Sequence, residues 1–278
     1  MRIDSHHHFW NYTPAAYPWI GPHMAALQRD FAPADLQAEI AAAGIEGVIS
    51  VQARQSIEET EWLLATAAKH DFIRGVVGWL PLADAEVQSE IERLSHDSRL
   101  KSLRHVVQDE PDDAFILGGD FNRGVGLLKH YGLTYDILIF ARHLPNTIRF
   151  VDLHPEQEFV LDHIAKPTIS AAKFDETWAQ NIRQLAQRPQ VTCKFSALVT
   201  EVRDSQWTVQ QLRPYWDVVL EAFTPRRLMF GSDWPVCLLR SSYAAWVAAV
   251  RELSADLTAD EQADLWGNTA HRAYHLRD

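Results

Sequence analysis

Short apolar, β-branched runs alternate along this chain with longer stretches in which apolar residues return every three or four positions. Runs beginning near Arg2 (RIDSHHH), Gly47 (GVISVQA), Ile73 (IRGVVGWLPL), Lys101 (KSLRHVVQ), Leu133 (LTYDILIF), Glu158 (EFVLDHI), Val191 (VTCKFSAL) and Arg227 (RLMFGSD) read as strands. Between them, Leu36, Ile40 and Ala43 share a helical face, and Gly44 can close that helix in a left-handed cap. Ser56 with Glu59, Thr208 with Gln211, and Thr258 with Glu261 have capping-box spacing. Asp84 precedes Val87, Ile91 and Leu94 at helical spacing, and a helix over 174–188 ends at Arg188 before Pro189. A last helix is expected near 258–276.

Strands that alternate with helices build a parallel sheet with helices outside it. The eight runs start roughly 32 residues apart, the size of one strand–helix unit. Eight such units predict an α/β fold: a single (β/α)8 TIM barrel over residues 1–278, with a C-terminal extra helix. An open doubly wound sheet is the other arrangement, but no glycine-rich phosphate turn follows the first strand. The stretch from Asn11 to Phe31 is long for a strand-to-helix connection, and such loops at a barrel mouth carry function.

Composition narrows the function. The chain is 47% hydrophobic and 23% charged, as globular proteins are, and its net charge of −11 provides no basic footprint for nucleic acid. No apolar run reaches the ~20 residues that cross a bilayer, and no secretory leader pattern opens the sequence. Cys193 and Cys237 are the only cysteines, so no disulfide framework exists and a cytoplasmic location is the default expectation. Both read as buried thiols rather than nucleophiles.

The opening "IDSHHHFW" holds the first chemistry. In a strand, His6 and His8 point one way and His7 the other. Catalysts of barrel enzymes sit where strands end, at the C-terminal mouth. Closing the barrel brings the eighth strand beside the first, and with it Asp233 of "GSDWP". His163 of "HIAKP" ends the sixth strand. Imidazoles and one carboxylate meeting in a mouth can hold a divalent metal or work as a metal-free acid–base cluster.

These motifs, with "YPWI", "RDFAPADL", "SVQA", "GVVGWLPL", "RHVVQDEP" and the closing "LWGNTAHRAYHL", resemble the amidohydrolase superfamily, and within it the amidohydrolase-related lactonases. The resemblance runs over the whole chain and is nearest to sugar-lactone hydrolases of the L-fuconolactonase kind. It implies a carboxylic ester hydrolase that opens an aldonolactone ring, with Asp233 activating water and with His6, His8 and His163 as the other catalytic residues. It also implies that one divalent metal, zinc or similar, would sit on His6, His8, His163 and Asp233. Lactonases of this type work both with and without metal, so a metal requirement stays open. Two-metal members carry a bridging Lys or Glu on strand four and a His on strand five. Here those strands offer Arg104 and His105, then Tyr135 and Asp136, which argues against a binuclear site.

Arg104, His105, Trp10, Trp79, Tyr135, Asp136, Lys194 and Trp234 are expected to contact substrate, with packing under loops as the other reading of the three tryptophans. Ser196 shares the parity of Lys194, and Lys166 reads either as loop surface or as a substrate contact. The expected partner is a small-molecule sugar lactone, with no nucleic acid or membrane; the oligomeric state is not legible. A metal-dependent decarboxylase of the same superfamily, or a muconolactone- or pyrone-type lactonase, is the alternative function.

Overall fold

The computed structural model describes residues 1–277. Its strands are β1 (Ile3–His7), β2 (Gly47–Val51), β3 (Ile73–Gly78), β4 (Leu100–Val106), β5 (Thr134–Leu138), β6 (Phe159–Leu161), β7 (Val191–Phe195) and β8 (Leu228–Phe230). They pair in parallel in the order β1 to β8. Most strand residues are buried, because one face looks into the barrel and the other lies under helices. Beyond the strand ends, His8 N donates to Trp234 O at 2.7 Å and Asp233 N donates to His6 O at 2.7 Å, so the last strand returns to the first. That closure makes a TIM barrel and excludes the open sheet.

The outer ring holds α1 (Pro33–Ala43), α2 (Ile57–Ala67), α3 (Val87–Ser95), α4 (Gly119–Leu127), α5 (Leu144–Leu153), α6 (Glu176–Ala186), a short α7 (Leu198–Glu201), α8 (Val209–Phe223) and α9 (Tyr243–Leu253). Gly44 closes α1 with φ 67°, and Asp175 caps α6 through Trp178 N. Thr208 and Gln211 exchange both bonds of a capping box. At α2 only half of the expected box forms. Ser56 Oγ accepts from Glu59 N, but the Glu59 carboxylate turns inward to Ala53 N, Arg54 N and Tyr17 OH. Asp84 caps a turn at Glu86 N and does not cap α3 itself. The sequence pattern hid α4 because it carries three glycines. Gly124 is required there, since a Cβ would lie 1.9 Å from Leu82 O.

The expected last helix is broken into α10 (Ala259–Ala263), a π-turn over Asp264–Asn268, and α11 (Thr269–Ala273). The wider turn lets Gly267 lie against Met1, whose carbonyl would be 2.0 Å from any Cβ. Ala270, Ala273, Tyr274 and Leu276 then pack with Ile3, Ile49, Val51, Val77, Val160 and Met229, plugging the N-terminal end of the barrel. With the bottom sealed, the mouth is the open end. Residues 11–31 are pinned there: Trp10 and Phe31 exchange backbone bonds of 3.1 and 2.9 Å at the base, and Trp19 Nε1 reaches Ala53 O. No helix among the described residues is long and apolar enough to cross a membrane.

Candidate active site

At the end of β1 the expected parity holds. His6 and His8 turn into the barrel, with Nε2 atoms 3.2 Å apart. His7 turns outward, against Phe9 and Ser50 Oγ. Below His6 runs a buried column of charge. Tyr274 OH and Ser102 Oγ donate to Asp136, whose Oδ2 is 2.6 Å from Lys194 Nζ. Lys194 reaches up to Asp162 Oδ1 at 2.9 Å, and Arg104 Nη1 reaches Asp162 Oδ2 at 2.8 Å. Two cations thus match two carboxylates, which is the condition for burying them. Burial alone would raise Asp162, but Lys194, His6 and Arg104 hold it well below the usual carboxylate range. Burial dominates at Asp136 and raises it.

β6 ends unusually. His163, Ile164, Ala165 and Lys166 have φ of 55°, 48°, 62° and 47°, a left-handed run with no glycine. Each such residue costs roughly 1–2 kcal/mol in an L-chain. The run breaks strand alternation, so adjacent Asp162 and His163 both face the site. Asp162 Oδ1 is 3.3 Å from His6 Nδ1, and the His163 ring centroid is 4.4 Å from that of His6. His163 Nδ1 is held by Ser196 Oγ at 2.8 Å, and burial pushes this imidazole down to about 3. Asp233 stands across from it, its Oδ1 3.2 Å from His8 Nε2 and 3.6 Å from His6 Nε2. Burial would raise Asp233, yet His163, His8 and Lys166 together hold it below its ordinary value.

Close partners fix the orientation of both rings. His8 Nδ1 faces Val51 O at 2.8 Å, an acceptor only, so Nδ1 is the donor of that bond and fixes the ring. His6 Nε2 lies 3.3 Å from Arg104 Nη1, and its Nδ1 lies 3.3 Å from both Lys194 Nζ and Asp162 Oδ1, so a cation approaches each ring nitrogen. His6 Nε2, His8 Nε2 and Asp233 Oδ1 converge within 4.8 Å of one another. That donor set fits one divalent ion, with each histidine oriented by its other nitrogen. The four-residue ligand set expected from sequence divides in two. His6, His8 and Asp233 form one triad, and His6, Asp162 and His163 form another.

The family model for amidohydrolases matches residues 3–276. The chain belongs to the amidohydrolase family. It is 40% identical to an L-fucono-1,5-lactonase of Burkholderia multivorans, over 99% of this chain and 96% of the relative. An L-fucono-1,5-lactonase of Burkholderia ambifaria is 32% identical over 99% and 96%. A crystal structure of a Burkholderia multivorans amidohydrolase with bound zinc superimposes with a TM-score of 0.94 at 41% identity, covering 100% of both chains.

In this amidohydrolase several residues expected at the substrate stand elsewhere. Tyr135 points out of the barrel, among Phe121, Phe150 and Phe159, because its neighbour Asp136 takes the inward position. Asp136 and Lys194 are fully buried beneath His6 and are tied to each other. Arg104 faces the cluster, but Asp162 and Gln52 O occupy its guanidinium. Trp10 and Trp234 pack around Phe31, Trp10 bonded to Arg29 O, so both are supports under the loop. His105 has the parity opposite to Arg104. It stacks on Phe115, bonds Glu110, and accepts from half-buried Trp79. Cys193 and Cys237 are buried, and burial raises both thiols. Asp162 escaped the sequence reading because alternation allows only one of two neighbours to face inward. The only signal was its place before His163 ahead of a proline.

Proposed function

We propose that this amidohydrolase opens the lactone ring of a neutral sugar aldonolactone, L-fucono-1,5-lactone or a stereochemical relative, to the sugar acid. The observation that carries it is Asp233 beside His6, His8 and His163 in a chain 40% identical to a curated L-fucono-1,5-lactonase. The two relatives named as lactonases also favour ester hydrolysis over decarboxylation.

Asp233, ionised at neutral pH, takes a proton from water through Oδ2, which has no protein hydrogen bond among the described residues. The water oxygen bonds to the lactone carbonyl carbon, and the carbonyl oxygen becomes an oxyanion. His163, kept neutral by burial, can donate to that oxygen from Nε2. The ring C–O bond then breaks, and Asp233 returns its proton to the leaving alkoxide, so protons balance over the cycle. A divalent ion on His6, His8 and Asp233, zinc being one fit, would supply Lewis-acid polarisation of the carbonyl. Arg104, Lys194 and Asp162 act beneath the reacting atoms by fixing His6.

Stereoisomeric aldonolactones, a dicarboxylated pyrone and a sulfonated muconolactone, assayed by proton release with and without chelator, test the reading. Sugar lactones should be hydrolysed and Asp233→Asn should lose ~10³-fold or more in turnover, about 4 kcal/mol in the barrier. A variant retaining a tenth of wild-type turnover excludes Asp233 as base. Turnover of the anionic lactones alone excludes the substrate class.

A further inference from the structure

The loops after β6 and β7 are joined beside the mouth. Ile169 pairs in parallel with Val202: Ile169 N donates to Glu201 O at 3.2 Å, and Arg203 N donates to Ile169 O at 2.8 Å. This short ladder holds Glu201 near the loop that carries Lys166. The left-handed run that brings in His163 also fixes Lys166 at its end.

Both side chains are incompletely partnered. Glu201 is 8% exposed, yet among the described residues its carboxylate has only Thr200 Oγ1 at 3.5 Å and Arg203 Nη2 at 3.9 Å. A buried carboxylate ordinarily takes closer donors. Half-buried Lys166 has no hydrogen bond from Nζ and no carboxylate oxygen within 4.0 Å among the described residues. The Phe140 ring lies 5.7 Å from that Nζ. Glu201, Lys166 and Asp233 lie within one another's fields. Burial raises Glu201, Lys166 opposes the rise and Asp233 adds to it, while Lys166 also helps depress Asp233.

A lysine and a glutamate in one field close on each other unless geometry keeps them apart. Here they stay apart, one with spare donors and the other with spare lone pairs. A hydroxyl group satisfies both, accepting from the ammonium and donating to the carboxylate. The pair is neutral overall, which suits an uncharged polyol and gives no net attraction to an anion. We propose that Lys166 and Glu201 together bind a ring hydroxyl of the sugar lactone and so set its carbonyl against Asp233. The inference rests on the lactonase reading and adds the residues that choose the sugar.

The test is steady-state kinetics of wild type, Lys166→Met, Glu201→Gln and the double variant. Substrates are the hydrolysed lactone and a set of its deoxy analogues, each lacking one hydroxyl. On the parent lactone each single variant should raise KM tenfold or more, with kcat within about threefold. The double variant should resemble the worse single one, because one hydroxyl serves both residues. On one deoxy lactone the KM penalty should shrink to threefold or less. An unchanged KM on the parent, or the same penalty on every deoxy lactone, overturns the proposal, the second result marking a structural role. Circular dichroism verifies folding, and near-isosteric Glu201→Gln carries the test alone if Lys166→Met does not fold. Wild type inactive on every lactone rejects the lactonase reading together with this one. An active wild type with unaffected variants rejects only this one.

Discussion

At His7 the ring lies against Phe9 with Nε2 2.9 Å from Ser50 Oγ, and Nδ1 has no hydrogen-bond partner among the described residues. One residue on, His8 is oriented by Val51 O and points Nε2 at Asp233. The two substitutions should therefore fail differently. His8→Ala should stay folded and lose most turnover, while His7→Ala should lower the melting temperature and leave turnover per folded molecule within a few-fold. Equal turnover losses would contradict the parity assignment. His105 gives a pH test away from the reacting cluster. Burial lowers it, and Glu110 only partly restores it. Its folded form stays neutral where the unfolded chain, with a midpoint near ~6.5, takes a proton. The stability it contributes is thus complete above that pH and declines as pH falls below it. Its ring resonance in an NMR titration should have a midpoint under 6.5; a midpoint at or above that value refutes the assignment.

At the scale of elements, β4, β5, β7 and the turn after β6 contribute Arg104, Asp136, Lys194 and Asp162 to one buried network. Such a network is costly to break and inexpensive to replace whole, because removing one partner strands the rest without water. Lys194→Met leaves Asp136 with no cationic partner and Asp162 with Arg104 and His6, and it should destabilise the protein by about 3–5 kcal/mol in urea unfolding. A loss below about 1 kcal/mol would mean that water enters the column. The left-handed end of β6 belongs to this scale as well. Its strain is offset by the contacts it makes, His163 with Ser196 and Asp162 with Lys194 and Arg104.

Across the whole molecule the two barrel ends divide the work. The bottom is sealed by the last helical pieces, and Tyr274 spans the seal, its ring in the apolar plug and its hydroxyl 2.7 Å from Asp136. The mouth can then bear strain and unpaired groups, since stability is supplied at the other end. Tyr274→Ala removes packing and an Asp136 donor together, and should cost about 3–5 kcal/mol in calorimetry or denaturant unfolding. A neutral result would show that the plug is dispensable.

Local pattern was enough to mark the eight strands, most capping residues, the inward pair His6 and His8, and the meeting of Asp233 with them, because alternation and strand count are properties of the chain itself. The motifs also carried the family. Tertiary structure alone decided which polar residues reach the mouth. Tyr135 lost its expected place because Asp136 holds the inward position, and Asp136 and Lys194 lie too deep, where each neutralises the other. Depth along a barrel axis depends on strand register, which no single strand encodes. Adjacent Asp162 and His163 both reach the site because a left-handed turn, which alternation forbids, begins at His163. Such a turn persists only when surrounding contacts outweigh its strain, and those contacts, from Ser196 to His163 and from Lys194 and Arg104 to Asp162, come from strands distant in sequence.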